Sequence, residues 1–370
     1  GFFRIWAISR RNSLASTGRF VPAVPIKLSE LQELYHDEGR IKWITTPHIP
    51  THEVWEAVQR EGHGSCEDVE RVFGMALERV GSEELWLFKN FIKHDKDIEA
   101  LDIHPAGRVY LMRQWSNRIF QAYDKDSYSP LWNYRNSRAY ATFSGEEREI
   151  LEDFLYRKQQ SSEKTWETNG KKLLSVLQES SPMLACAEDL GVLNECVPRV
   201  LNKLKILSLK VIRWERAYNE EGQPYRSFSD YPELSVCTTS VHDSSTLREW
   251  WETEADQNAF AAFSGYPSLP KIYNPGTARK FLFHAASALS RFRIFPLIDF
   301  LHLTSRWYAD NPASERINVP GTSNEFNWTW RLPATVAEIA KDTELIKAVK
   351  ELSLVEAAKK TKKTDSEKKS

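Results

Sequence analysis

From about residue 140 onward, helix signals alternate with short apolar runs that end in polar or charged residues, and this alternation restricts the fold more than any other feature. Apolar runs too short for a helix, separated by helices, are the pattern of β/α units around a parallel sheet, so the expected fold class is α/β. Ser144-Gly-Glu-Glu147 has the form of a capping box, and Ile150, Leu151, Phe154 and Leu155 share one face of the helix it opens. A second helix is expected over about 162–178, with Trp166, Leu173, Leu174 and Leu177 inward. Met183 to Ala187 reads as a strand ending in Glu188, and Val197 to Lys205 as the following helix, with Pro198 near its start. Ile206 to about Ile212 reads as the next strand and delivers Trp214 and Arg216. Ser235 to Val241 is β-rich and runs into His242 and Asp243, after which Ser244-Ser245-Thr246 caps a helix carrying Trp250 and Trp251. Further helices are expected near 278–290 and 335–354, and the apolar run Ile294 to Leu303 is interrupted by Pro296 and Asp299.

Successive strands thus discharge polar residues at their C-terminal ends, where a (β/α)8 barrel and a doubly wound sheet alike place an active site, and periodicity leaves both open. The first 140 or so residues carry Trp43, Trp55, Trp86, Trp115 and Trp132 among helix-like stretches such as Glu67 to Arg79, and a helical insertion is expected over about 30–140. The tail, 356–370, is rich in Lys and has little to bury, so it is expected to be disordered. The chain opens on Gly1 and the apolar run Phe2 to Trp6 without a cap, as if it began inside a folded unit.

Charge then excludes partners. The 370 residues hold 50 Lys plus Arg against 51 Asp plus Glu, a balance without a field for polyanions, so no nucleic acid partner is expected. No apolar run is long enough to span a bilayer and no leader-like segment is present, so no membrane partner is expected either. Cys66, Cys186, Cys196 and Cys237 form no CxxC pair, which favours thiols in a reducing cytoplasm. Thirteen Trp is a large number for 370 residues, and sugar-binding proteins are one class that uses such rings. Trp6, Trp166 and Trp328 read as core; Trp214, Trp250 and Trp251 follow strand ends and read as cleft or rim. No G-x-S-x-G elbow accompanies the serines, and His63 and Cys66 have a metal-like spacing but no second pair. Asn327-Trp-Thr329 is a glycosylation sequon in spelling only.

On position alone, Glu188 and Asp243 stand out, each ending an apolar strand, and their spacing (243 minus 188 is 55) suits two β/α units. Retaining glycoside chemistry needs an acid for the leaving oxygen, a nucleophile about 5 to 5.5 Å away across the sugar, and groups that bind the distorted ring. A Glu at a strand end among aromatic side chains is a place where a proton is held near neutral pH. The other reading of such a carboxylate is a cap for the following helix.

Cys186-Ala-Glu-Asp-Leu-Gly191, Val241-His-Asp-Ser-Ser-Thr-Leu-Arg-Glu-Trp-Trp-Glu252, Asn318-Val-Pro-Gly-Thr322 and Asn327-Trp-Thr-Trp-Arg331, in that order, resemble the 4-alpha-glucanotransferases, the amylomaltases or disproportionating enzymes of glycoside hydrolase family 77. Gly1-Phe-Phe-Arg-Ile-Trp6 and the double Trp are most similar to the branch with the plant cytosolic disproportionating enzyme and its bacterial relatives. The resemblance implies that residues 1–355 are the C-terminal part of a (β/α)8 TIM barrel with helical insertions. It implies transfer of α-1,4-glucosyl units between maltose or maltooligosaccharides and acceptor glucans by double displacement, in the cytoplasm, with no metal or organic cofactor. Glu188 matches the family's acid/base and Asp243 its transition-state-stabilising carboxylate, with His242 on the same ring. Asn318, Pro320 and Gly321 match the loop on the acceptor side, while Trp214 and Arg216 line the cleft by position. The family's nucleophile is an Asp in an Arg-x-Asp-His segment directly before the Gly-Phe-Phe-Arg-Ile-Trp run. The nucleophile and the first four strands are therefore expected upstream of Gly1, and the 370-residue chain alone is expected to be inactive. The alternatives are a non-catalytic glucan-binding barrel and an α-amylase-type hydrolase; oligomeric state is left open.

Overall fold

The computed structural model describes residues 1–60, 64–188, 194–218, 220–266 and 268–357. The chain divides into two compact units, Gly1–Leu174 and Ser175–Ser370.

The first unit opens with an antiparallel ribbon of β1 (Ile5–Ala7) and β2 (Arg19–Val21). There follow β3 (Ile26–Lys27), α1 (Leu28–Tyr35), α2 (Glu38–Thr45), β4 (Ile49–Pro50), α3 (Thr51–Gln59), α4 (Cys66–Ala76), β5 (Leu77–Arg79) and β6 (Leu85–Phe88). Then come α5 (Asp95–Glu99), α6 (Pro105–Trp115), β7 (Phe120–Asp124), β8 (Ser127–Pro130), α7 (Arg138–Ala141) and α8 (Gly145–Ser180). The strands form two antiparallel sheets, ordered β3-β8-β7 and β4-β6-β5. Helices α3, α4 and α6 bury Val54, Val58, Val69, Val72 and Leu111 in one core. Leu31, Ile44, Ile119, Phe120, Leu151 and Phe154 make another.

Helix α8 corrects the expectation of two helices: it is continuous over 36 residues. Its start is the expected capping box, with Ser144 N–H donating to Glu147 Oε2 at 2.8 Å and Glu147 N–H to Ser144 Oγ at 3.2 Å. The polar middle does not break it, because the buried Ser162 hydroxyl donates to the Lys158 carbonyl at 3.0 Å and accepts from Val24 N–H at 2.9 Å. Trp166 and Leu174 are buried as expected, whereas Leu173 and Leu177 are exposed.

The second unit contains β9 (Cys186–Ala187), α9 (Cys196–Lys203), β10 (Leu207–Val211), β11 (Ser235–Thr238), α10 (Leu247–Thr253), α11 (Gln257–Ser264) and α12 (Pro275–Ala286). It ends with β12 (Phe292–Arg293), α13 (Leu297–Leu301), α14 (Val336–Ile339) and α15 (Thr343–Ser353). One four-stranded parallel sheet runs β12-β11-β10-β9, each strand beside its neighbour in sequence. Among the described residues this sheet is open. The architecture is mixed α/β.

Strand β9 is shorter than expected, since Met183 and Leu184 lie outside it and are exposed. The expected C-terminal helix is two: α14 stops at Ile339 with Ala340 as its cap, and Asp342 caps α15 by accepting from Leu345 N–H at 3.0 Å. The unit's core gathers Ile212, Cys237, Trp250, Trp251, Phe260, Phe281, Leu301 and Leu345.

Candidate active site

Parallel pairing places the C-terminal ends of β9, β10 and β11 along one sheet edge: Ser208 of β10 is level with Ala187 of β9 and Ser235 of β11. Whatever follows each strand emerges on that edge. Glu188 follows β9 and is exposed, Trp214 follows β10 and is exposed, and His242 and Asp243 follow β11.

The turn that carries His242 and Asp243 is closed by Ser244. Its N–H donates to the Val241 carbonyl and its Oγ accepts from Val241 N–H, both at 3.1 Å. Thr246 then caps α10, as expected, by accepting from Glu249 N–H at 3.2 Å. Asp243 Oδ1 accepts from Asn318 Nδ2 at 2.7 Å and lies 3.4 Å from His242 Nε2. The rings of His242 and Trp328 are 5.2 Å apart.

Asn318 and Trp328 belong to one self-tied loop. Val319-Pro320-Gly321-Thr322 has the form of a type II turn: Thr322 N–H donates to the Val319 carbonyl at 3.3 Å, and Gly321 has φ +76°. Pro suits the second position of such a turn, and only Gly takes the positive φ of the third without strain. Pro320 and Gly321 thus shape the loop. The Asn327 amide spans it, accepting from Val319 N–H and donating to the carbonyl and hydroxyl of Thr322, each at 3.1 Å. Trp328 has a left-handed backbone, φ +67°, and its N–H donates to the Ile317 carbonyl at 2.7 Å. A bulky residue in that region is strained and is held there by its surroundings.

Four of the Trp assignments need correction. Trp328 is 61% exposed, not core, because the loop tie holds its ring outward over His242. Trp6 is 36% exposed on the two-stranded ribbon. Conversely Trp250 and Trp251 are core residues, 5% and 1% exposed, because the first five residues of α10 are all buried. A helix that is buried all round has no cleft-facing side. Trp214 stays exposed, with its carbonyl accepting from Tyr218 Oη at 2.9 Å, and Arg216 stacks on Tyr225 with its guanidinium carbon 3.9 Å from the ring centre.

Beneath the edge lies a buried polar layer that sequence reasoning missed. Arg213 Nη1 donates to Ser245 Oγ at 2.6 Å and the guanidinium sits over Trp250. Asp299 is fully buried and accepts from the Thr239 hydroxyl. Burial pushes the Asp299 carboxyl up to about 6, against the pull of Thr239, His302 and Arg213. Glu315 Oε1 accepts from Arg248 Nη1 and Ala309 N–H and lies 3.1 Å from His302 Nε2, the distance of each of these contacts. Burial alone would raise the Glu315 carboxyl, but His302, Ala309 N–H and Arg248 together hold it below its ordinary value. The one signal for this layer was Asp299, a lone carboxylate in an apolar run. A cavity of about 480 Å³ is lined in part by Tyr308, Glu315, Phe326, Trp330 and Arg331.

The site therefore offers an exposed carboxylate oriented by an amide and an imidazole, an aromatic ring beside it, and a second carboxylate and aromatic along the same edge. Such groups hydrogen-bond sugar hydroxyls and stack on sugar faces. A family profile described as 4-alpha-glucanotransferase, glycoside hydrolase family 77, matches residues 1–336. The chain belongs to this family. It is 27% identical over 378 aligned positions to the 4-alpha-glucanotransferase DPE2 of Oryza sativa subsp. japonica, covering 95% of this chain and 38% of that protein. It is 36% identical over 185 positions to the 4-alpha-glucanotransferase of Chlamydia trachomatis serovar D, covering 49% of this chain and 34% of that one. The chain thus spans little more than a third of the length of these family members. The amylomaltase of Streptococcus agalactiae, solved in complex with acarbose, aligns with 51% of this chain and 34% of its own, with TM-score 0.37 and 21% identity, too loose a match to assign a fold.

Among the described residues no group of three or more His, Cys, Asp or Glu is placed to hold a metal, and no helix is long and apolar enough to cross a membrane. His63, Asp189 to Gly191 and the lysines of the tail lie outside the described residues; Cys66 is the exposed first residue of α4.

Proposed function

We propose that the protein containing this chain is a retaining 4-alpha-glucanotransferase that moves α-1,4-linked glucosyl units from maltose or maltooligosaccharide donors to acceptor glucans. The observation that carries the proposal is the joining of two family motifs 75 residues apart in one cluster, Asp243 with His242 on one side and Asn318 on the other. In the first displacement the Glu188 carboxyl gives its proton to the glycosidic oxygen as the bond to the anomeric carbon breaks, while a carboxylate nucleophile bonds that carbon. In the second, the Glu188 carboxylate takes the proton of the acceptor 4-hydroxyl as its oxygen displaces the nucleophile. Asp243, its charge fixed in place by Asn318, faces the positive charge that builds on the sugar ring, and His242 bonds the same ring. Trp214 flanks the cleft, and Pro320 and Gly321 set the acceptor-side loop.

The strand run β9 to β12, each parallel to its sequence neighbour, supports the C-terminal part of a (β/α)8 barrel over residues 1–355, because a doubly wound sheet reverses its strand order. The cytoplasm is the compartment proposed, on the sequence pattern of few cysteines without a CxxC pair.

The test is maltotriose turnover by the gene product that contains these 370 residues. Glucose together with glucans longer than the substrate is expected; sugar release without longer products would assign a hydrolase instead. Glu188→Gln and Asp243→Asn should each lower transfer by about 10²- to 10⁴-fold with glucan binding still detectable. A variant that kept more than about a tenth of the activity would overturn the role given to that residue.

A further inference from the structure

The first unit holds a cavity of about 730 Å³, and its walls carry buried polar atoms with nothing to bond. Arg118 is 8% exposed, its Nη1 reaches the Thr45 carbonyl at 3.5 Å, and its Nε and Nη2 are buried without a partner. These two nitrogens form one edge of the guanidinium, the edge that grips two oxygens of a phosphate or carboxylate. No described carboxylate forms an ion pair with it, and burial pushes it down to about 10 with nothing opposing. Trp115, whose ring centre is 4.6 Å from the Arg118 guanidinium carbon, carries a buried indole N–H without a partner. Asn12 Oδ1 and Gln121 Oε1, on the same cavity wall, are buried acceptors without donors. Among the described lining residues Arg19, Lys89, Lys93 and Arg118 face one carboxylate, Asp124.

A burial pattern of this kind is incomplete as it stands, because unmet donors, unmet acceptors and an unpaired charge are each costly to bury. The donors and the charge call for an anion. The acceptors call for hydroxyl hydrogens, which a phosphate dianion lacks, while a neutral sugar supplies no charge for Arg118. We infer that this cavity binds a saccharide phosphate, with the phosphate on the free edge of Arg118 beside Trp115 Nε1 and sugar hydroxyls donating to Asn12 and Gln121. A free sugar phosphate and a phosphorylated glucan end present the same chemistry. The inference stands apart from the transferase reading, since none of these residues belongs to the strand-end site.

The test is calorimetric titration of the full chain with glucose 6-phosphate, glucose and inorganic phosphate in parallel, with a maltooligosaccharide bearing a 6-phosphate as a fourth arm. Glucose 6-phosphate should bind at least about tenfold more tightly than glucose or phosphate, and the fourth arm assigns the source as free or chain-borne. Arg118→Met, of similar reach but uncharged, should weaken binding about 30-fold or more and raise the ligand-free melting temperature. Gln121→Leu, at a half-buried position, should weaken glucose 6-phosphate but leave phosphate within about twofold. Equal binding of phosphate or of glucose, no binding of any probe, or parental binding by both variants would each overturn the inference.

Discussion

Asp299 has no exposed surface, yet it carries a carboxyl whose ordinary environment is water. Burial holds its folded-state value at about 6, above the unfolded reference of about 4. Between those values the folded chain keeps a proton that the unfolded chain has released. The contribution of Asp299 to stability is therefore full below about pH 4 and is lost as pH rises through about 6. Asp299→Asn keeps an acceptor for Thr239 and cannot ionise. It should stabilise the fold at about pH 7.5 by something of order 2 kcal/mol and by almost nothing near pH 4, read from urea unfolding at both pH values. A gain of equal size at both would show that charge is not the cause. At this scale the sequence was informative where a motif carried a residue and uninformative where only residue type did. The motifs singled out Asp243 and Asn318, though not the hydrogen bond that joins them, whereas the tryptophans were sorted by distance from a strand end. That criterion fails for Trp250 and Trp251, because it ignores what covers a helix, and for Trp328, because a positive φ leaves no trace in spacing.

The β/α alternation was legible because short β-rich segments alternate with helices that carry their own start signals: β11 is buried throughout and β10 buries Leu207, Ser208 and Val211. The sheets of the first unit gave no such signal. Their strands are two to five residues long, pair antiparallel, and include Pro50, Arg79 and Pro130, so no period of two survives. Helix α8 was split in the reading because the polar stretch between Leu155 and Ser162 resembles a break; Gly170 lay within the second expected helix and is no break either. Gly170 instead serves a contact: a Cβ there would lie 2.3 Å from Cε1 of Phe3. In an open helix Gly→Ala gains about 1 kcal/mol, and the clash with the Phe3 ring should reverse that sign. Gly170→Ala is expected to lower the melting temperature in the parent and to raise it in a Phe3→Ala background. A double-mutant cycle measures the coupling, and additive effects would mean that the ring moves aside freely.

For the whole molecule, charge separates the two proposed ligands. The 50 basic and 51 acidic residues nearly cancel, so no net field draws or repels a distant ligand. A glucan is neutral, and its binding beside Asp243 rests on short-range hydrogen bonds and ring stacking, which salt leaves almost untouched. The cavity of the first unit is different, because its described lining sets Arg19, Lys89, Lys93 and Arg118 against Asp124 alone. An anion approaching it is attracted over roughly a Debye length, about 10 Å at 0.1 M salt and about 3 Å at 1 M. Raising salt from about 0.05 to 0.5 M should therefore change the KM for maltotriose by less than about twofold, while weakening glucose 6-phosphate binding about three- to tenfold. Potassium chloride serves for the titration, since added phosphate or sulfate would compete directly for Arg118. Equal salt sensitivity of the two would show that both ligands meet the same surface, and the assignment of each to its own unit would fail.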